Sequence, residues 1–170
     1  TSWAQQAKLN GSTAFTNSAF GGAVSLSGDY ALIGARRGSV IGTAYVFFRT
    51  GTSWTEQTAF SAPDAGSSSD FGVSVSLDGD LAVVGASSAD GAREDEGSVY
   101  VFERNGTDWE QVDKLSADVS LDDGFESDVS LAGDYLIVGA AGDDDKGANS
   151  GSAYLFEYID DTWVLKTKLT

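Results

Sequence analysis

The residues best placed to do chemistry are acidic and sit in one kind of loop. Asp143, Asp144 and Asp145 are followed by Gly147 and Asn149, and an earlier stretch carries Asp90, Glu94, Asp95 and Glu96. Hard cations such as calcium take about six to eight oxygen ligands from flexible loops in which glycine permits the turn. The spacing lacks the full ligand pattern and terminal Glu of an EF-hand loop. Two readings therefore stand side by side, a calcium site and a solvated acidic hairpin loop. A second acidic set comprises Asp64, Asp70, Asp118, Asp122 and Asp123, with Asn17 at the corresponding early position. These read first as Asx-type turns, because short carboxylates and amides bond nearby backbone N–H groups.

Other chemistry is restricted by what the chain lacks. It has no Cys and no His, which removes disulfides, thiolate metal sites and the Ser-His-Asp triad. No paired carboxylates stand outside the repeats and polar loops, so the segment is expected to be non-enzymatic. The net charge of −16 repels phosphate backbones, so no nucleic-acid partner is expected. The same charge also suits a solvated surface in a salty or extracellular setting. No apolar run reaches the roughly 18 residues of a membrane helix, and no membrane insertion is expected. The chain shows no leader peptide and does not begin with Met, and it reads as a mature or excised segment.

What positions these loops is a repeat. Trp3, Trp54, Trp109 and Trp163 are spaced by 51, 55 and 54 residues. Phe20, Phe71 and Phe125 keep the same phase, as do the pairs Gly28-Asp29, Gly79-Asp80 and Gly133-Asp134, and then Tyr45, Tyr100 and Tyr154. Each copy reads as four short strands. The first covers Ala23 to Leu26, Val73 to Leu77 and Asp128 to Leu131. The second covers Tyr30 to Ile33, Leu81 to Val84 and Tyr135 to Val138. The third covers Thr43 to Phe48, Ser98 to Glu103 and Ser152 to Tyr158. The fourth covers Ser53 to Ala59, Asp108 to Leu115 and Thr162 to Leu169. Apolar β-branched runs bounded by glycine are strand-like, and the Gly-Asp pairs between first and second strands are tight-hairpin chemistry. Nothing shows the length and period of a globular helix.

Four antiparallel strands per copy of about 54 residues is the pattern of a β-propeller blade. The fold class is therefore all-β, with three blade repeats at 13–60, 61–115 and 116–170. Residues 1–12 read as an extra outer strand, because Ser2 to Leu9 matches the fourth strands in sequence. The recurring tryptophans and tyrosines read as blade packing rather than a carbohydrate-stacking set. The acidic loops join second to third strands. Copy 1 has Arg36 and Arg37 in a loop four residues shorter and without acids, and those arginines could pair with acids of a neighbouring blade.

The stretch Phe71-Gly72-Val73-Ser74-Val75 followed by Gly79-Asp80-Leu81-Ala82-Val83-Val84-Gly85-Ala86 resembles the FG-GAP repeat, the blade of integrin α-subunit propellers and of many secreted prokaryotic proteins. The stretch from Gly139 to Asp145 and on through Gly151 to Phe156 is similar to the prokaryotic form. Departures are Gly21-Gly22 after Phe20, Glu126 after Phe125, and Arg36, Ser87 and Ala141 in place of the family's Pro. The resemblance implies a propeller, often seven-bladed, that is extracellular and concerned with adhesion or ligand binding. It also implies calcium in some blade loops and a protein or carbohydrate ligand.

Asn10-Gly11-Ser12 and Asn105-Gly106-Thr107 match the N-glycosylation sequon, although Asn-Gly is also a turn signal. Three blades are fewer than the usual four or more, and the surplus outer strand leaves the repeat out of phase with the ends. Partners are thus expected to be other blades of a longer chain or identical subunits. The expected function is an extracellular propeller segment for cell-surface structure or adhesion. Alternatives are a repeat unit of a self-assembling filament or array through strand addition, and the scaffold of a larger secreted enzyme.

Overall fold

In a computed structural model of the chain, the described residues are 2–14, 16–36, 42–62, 64, 70–87, 97–117 and 123–170. They form twelve strands in three four-stranded antiparallel sheets. Blade 1 holds β1 (Ala23–Ser27), β2 (Tyr30–Ala35), β3 (Thr43–Thr50) and β4 (Ser53–Phe60). Blade 2 holds β5 (Val75–Asp78), β6 (Leu81–Ala86), β7 (Ser98–Asn105) and β8 (Asp108–Leu115). Blade 3 holds β9 (Phe125–Ala132), β10 (Tyr135–Ala140), β11 (Ser152–Ile159) and β12 (Thr162–Leu169). Strand order follows chain order in every sheet, as the all-β blade reading requires.

The hairpins form where glycine supplies the backbone. Gly28, Gly79 and Gly133 take φ values of 57, 57 and 55° in the turns between first and second strands. Such left-handed turns match the twist of the flanking strands. The following aspartates hold the hairpin to the third strand, with Arg49, Arg104 and Tyr158 donating their N–H to the carbonyls of Asp29, Asp80 and Asp134, each at 2.8 Å.

Blades stack face to face, with β1 against β5 and β5 against β9. One apolar cluster joins Leu32, Ala44 and Val46 of blade 1 to Phe71, Val75 and Leu77 of blade 2. A second joins Val83, Val99 and Val101 of blade 2 to Phe125, Val129 and Leu131 of blade 3. Phe60, at the end of β4, stacks on Phe102 of the next blade with centroids 4.2 Å apart. Burying both faces of a blade takes a neighbour on each side, which explains why the apolar landmarks recur. The sheets form an open stack, in which Val24 and Leu26 of β1 and Ile137 of β10 stay exposed while Leu9, Ala14 and Phe20 cover the rest of blade 1's outward face.

Backbones approach closely at these junctions. A Cβ at Gly34 would collide with the carbonyl oxygen of Gly72, and one at Gly85 would crowd the carbonyl oxygen of Glu126 in blade 3 at 3.0 Å. Serines of the first strands cross the gap. Leu77 N–H donates to Ser25 Oγ at 3.0 Å, and Leu131 N–H to Ser76 Oγ at 2.9 Å. Gly79 and Gly133 N–H donate likewise to Ser27 and Asp78.

Residues 2–10 carry no strand of their own beside the three blades described, and Trp3 is 99% exposed. A fourth strand needs a third strand beside it for its ladder, and β4, β8 and β12 each take that partner from their own blade. The segment nevertheless keeps the address of a fourth strand. Gln6 Oε1 accepts from Trp54 Nε1 at 3.0 Å, as Gln57 Oε1 accepts from Trp109 Nε1 at 3.0 Å. Leu9 packs against the Tyr45 and Phe47 face of blade 1.

The fourth strands share a β-bulge, with a register shift opposite Val46/Phe47, Val101/Phe102 and Leu155/Phe156. The residue left over in each is Gln57, Val112 or Lys166. A bulge re-aims a side chain, and in blade 1 it turns Gln57 to the tryptophan of the next blade.

Candidate functional site

The third acidic loop is held by its own backbone. Asp143 N–H donates to the Ala140 carbonyl, and the Asp143 carbonyl accepts from Gly151 N–H at 2.9 Å. Gly147, Asn149 and Gly151 take positive φ values that let the loop double back. Its carboxylates then go separate ways. Asp144 Oδ1 accepts from Asn149 N–H at 2.6 Å, an Asx-type closure. Asp143 turns inward, its side chain 1% exposed. Its Oδ1 accepts from Asp145 N–H at 3.0 Å and its Oδ2 from Tyr154 Oη at 3.3 Å. Lys168 Nζ, from β12, lies 2.6 Å from both Asp143 Oδ2 and Asp145 Oδ2.

The charges follow from this geometry. Burial works against the Asp143 carboxylate, but the Lys168 ammonium and the Asp145 N–H outweigh it and hold its pKa at about 2. Burial likewise opposes the Lys168 charge, and the two carboxylates overcome it and raise the lysine pKa above its ordinary value. Lys168 therefore stands where a cation between Asp143 and Asp145 would stand. Among the described residues no three acidic side chains converge as a metal-binding group. The set as folded does not fit a bare divalent ion, which would have to displace the ammonium. Asp90, Glu94 and Asp95, with Glu96, lie outside the described residues.

The same arrangement recurs in blade 2 with a different acid. Tyr100 Oη donates to Asp64 Oδ1 at 2.9 Å, and Lys114 Nζ lies 2.6 Å from Asp64 Oδ2. In blade 1 a hydroxyl replaces the carboxylate, with Tyr45 Oη and Thr13 Oγ1 2.7 Å apart. Lys114 and Lys168 stand directly across the ladder from Tyr100 and Tyr154 and lie over their rings, with Nζ at 5.2 and 5.3 Å from the centroids. On the other side Phe20, Phe71 and Phe125 meet those tyrosines edge-on at 5.4, 5.4 and 5.2 Å. Sequence reasoning found the tyrosines and phenylalanines but not the lysines. The signal was available: Lys8, Lys114 and Lys168 occupy one repeat position, with Ala59 as the exception.

The second acidic set divides. Asp64 joins the Tyr–Lys pair above, rather than acting as a turn alone. Asp70 and Asn17 carry left-handed φ values of 43 and 69°, as turn residues in the links before the first strands. Asp123 is buried, and its carbonyl accepts from Gly142 N–H at 2.9 Å. Asp118 and Asp122 lie outside the described residues, as does Arg37, while Arg36 is exposed.

Glu126 is a strongly perturbed acid. It replaces the glycine that follows Phe20 and Phe71, where Gly21 and Gly72 adopt φ of 86 and 90°. A glutamate resists that conformation. In blade 3 the residue ahead of the phenylalanine, Gly124, keeps a positive φ of 66°, as Ala19 and Asp70 do at 51 and 43°, but Glu126 does not take the positive φ of Gly21 and Gly72, and β9 starts earlier, at Phe125. The carboxyl is then buried against Gly97, which sits at φ 82° with no room for a Cβ. Glu126 Oε2 has no hydrogen-bond partner among the described residues, and burial pushes the pKa up to about 7.

Asn10 and Asn105 are both exposed, Asn105 at the β7–β8 turn beside Gly106. The family model of the FG-GAP repeat matches residues 3–47, 54–102 and 109–156. These spans contain all three phenylalanine–tyrosine pairs. No curated protein matches the chain.

Proposed function

The chain belongs to the FG-GAP repeat family, and on that premise we propose that it serves as a non-enzymatic propeller segment outside the cell, in surface structure or adhesion. The observation that carries this reading is the threefold fastening around Tyr45, Tyr100 and Tyr154. The hydroxyl of each is tied to a loop or link residue, and two of them carry an ammonium over the ring. Asp64, Asp143, Lys114 and Lys168 around these tyrosines hold loops to blades. That suits a rigid platform whose loops and outer strands meet a partner, and the strongly acidic surface suits an extracellular medium. A protein or carbohydrate ligand is the partner class for such a platform.

Within this reading Asn10 and Asn105 are the positions that would carry N-glycans. Calcium enters as a loop stiffener in copy 3 only where it displaces Lys168 from Asp143 and Asp145. The test is surface labelling of intact source cells with antibody to this segment, paired with attachment assays on a deletion strain. Labelling without permeabilisation and reduced attachment are expected. Labelling only after permeabilisation would overturn the reading.

A further inference from the structure

We propose that the Glu126 side chain is a pH-sensitive latch on the junction between blades 2 and 3, closed while the carboxyl is neutral and loosened once it is charged. The inference concerns a joint inside the stack and does not depend on the surface role.

The two junctions differ at one place. Between blades 1 and 2, Gly42 lies flat on the backbone of Phe71, so closely that a Cβ there would come within 2.0 Å of the Phe71 carbonyl oxygen. Gly97 is its counterpart one blade further on. A Cβ on Gly97 would come within 2.0 Å of Glu126 Oε2, while the Phe125 carbonyl oxygen stands back at 3.0 Å. A carboxyl group is therefore inserted where the first junction closes backbone on backbone. The insertion is written in the repeat, because Glu126 occupies the position of Gly21 and Gly72, which have no side chain to insert.

The backbone of Glu126 is fastened across the same seam. Its carbonyl accepts from Ser74 Oγ of blade 2 at 2.7 Å, and Ser74 and Glu126 are 4% and 5% exposed. The side chain has no such fastening, since Oε2 has no hydrogen-bond partner among the described residues. The strands packed on β9 from blade 2 are β5, β6 and β7. Their charged or titratable residues are Asp78, Tyr100, Glu103 and Arg104, the link before β5 adds Asp70, and β9 itself adds Asp128. None of these acts on Glu126, and burial is the cause that raises its pKa to about 7.

A neutral carboxyl fits this dry seam. An ionised one has no counter-charge there, and the way to hydrate it is to part Gly97 from blade 3. The open seam returns the group to its ordinary pKa of 4.5. Closure is therefore fully favoured below that value and weakens as pH rises through 7. The junction between blades 1 and 2 has glycine at this position and carries no such dependence.

Two equivalent amides report on the two junctions. Leu131 N–H donates across the second to Ser76 Oγ, and Leu77 N–H across the first to Ser25 Oγ. Native-state hydrogen exchange on the 170-residue chain, followed by NMR and corrected for the intrinsic exchange rate, reads both. Between about pH 5.5 and about pH 8.5 the protection of Leu131 should fall about tenfold or more, while that of Leu77 holds. Glu126→Gln keeps the shape without the charge, and Glu126→Gly restores the residue of the other two copies. Each should keep Leu131 protected at the higher pH. Protection at Leu131 that does not change with pH in the wild type would overturn the proposal. So would an equal fall at both amides, or a fall that persists in both variants.

Discussion

Two carboxyl groups in this molecule respond to burial in opposite directions, and partners decide which way. Asp143 and Glu126 are both almost inaccessible to solvent. Asp143 has an ammonium and a backbone N–H within hydrogen-bond distance and stays ionised to about pH 2. Glu126 has no partner on Oε2 among the described residues, and its pKa rises from 4.5 to about 7. A raised acid pKa means that the native state holds the proton more tightly than the unfolded chain. Stability linked to Glu126 is therefore complete below about pH 4.5 and is lost as pH rises through 7. The shift corresponds to something on the order of 3 kcal/mol. Chemical denaturation between pH 5 and 8 should show a decline in the wild type that E126Q flattens. For Asp143 the sign reverses: its contribution holds above its unfolded value of 3.8 and drains as pH falls towards 2. K168Q leaves that buried carboxylate short of its cation and should cost about 2 kcal/mol, less than for a fully enclosed pair because the lysine is partly exposed. The same substitution opens the space between Asp143 and Asp145. Millimolar calcium should then raise the melting temperature of K168Q more than that of the wild type, by calorimetry after chelation.

At the scale of strands and turns, glycines of one sequence phase do two different jobs. Gly28 serves a turn: it has a φ of 57° and open space around it. An alanine there meets only the left-handed backbone penalty, about 1 kcal/mol. Gly34 serves a junction, where a Cβ would meet the backbone carbonyl of Gly72. That oxygen belongs to the adjoining blade and cannot move aside like a flexible side chain. G34A should therefore cost about 3 kcal/mol and G28A about a third of that, by urea denaturation monitored with tryptophan fluorescence. An equal cost in the two variants would contradict the assignment of Gly34 to the blade junction. The shared bulge in β4, β8 and β12 belongs to this scale too. It frees one residue per blade to face outward along the stack, and its use differs with residue type. Gln57 reaches Trp109, whereas Lys166 turns to Glu157 at 3.0 Å.

For the whole molecule, the net charge of −16 opposes both compactness and association. Screening shortens the reach of that repulsion, from about 10 Å at 0.1 M salt to about 3 Å at 1 M. Raising sodium chloride over this range should therefore raise the melting temperature by a few degrees. Circular dichroism melts at a series of salt concentrations check this. Falling stability with salt would mean that specific ion pairs, such as Lys168 with Asp143, outweigh the net repulsion. The blades themselves hold by apolar burial, which salt does not weaken, so the stack should survive conditions that loosen the Tyr–Lys fastening.

The sequence by itself determined the elements and their number of copies. Period-two apolar runs, glycines at the hairpins and recurring Trp, Phe and Tyr landmarks are local signals, and each strand they mark is present within a few residues. The family followed from the same landmarks. What only the tertiary structure decided depends on contacts between distant parts of the chain. Ser2 to Leu9 reads like β4, β8 and β12, yet a strand exists only beside a partner, and among the described residues no third strand pairs with it. Asp143, Asp144 and Asp145 read as one ligand cluster, yet Lys168 arrives from β12 and claims two of the three. Asp64 and Asp143 come from different loops and still serve equivalent tyrosines, an exchange that no alignment of the repeats reveals. The acidic loop that first drew notice is thus closed by a lysine more than twenty residues away in sequence. Pairing, burial and the meeting of charges are properties of the folded stack, whereas periodicity and turn chemistry are already written along the chain.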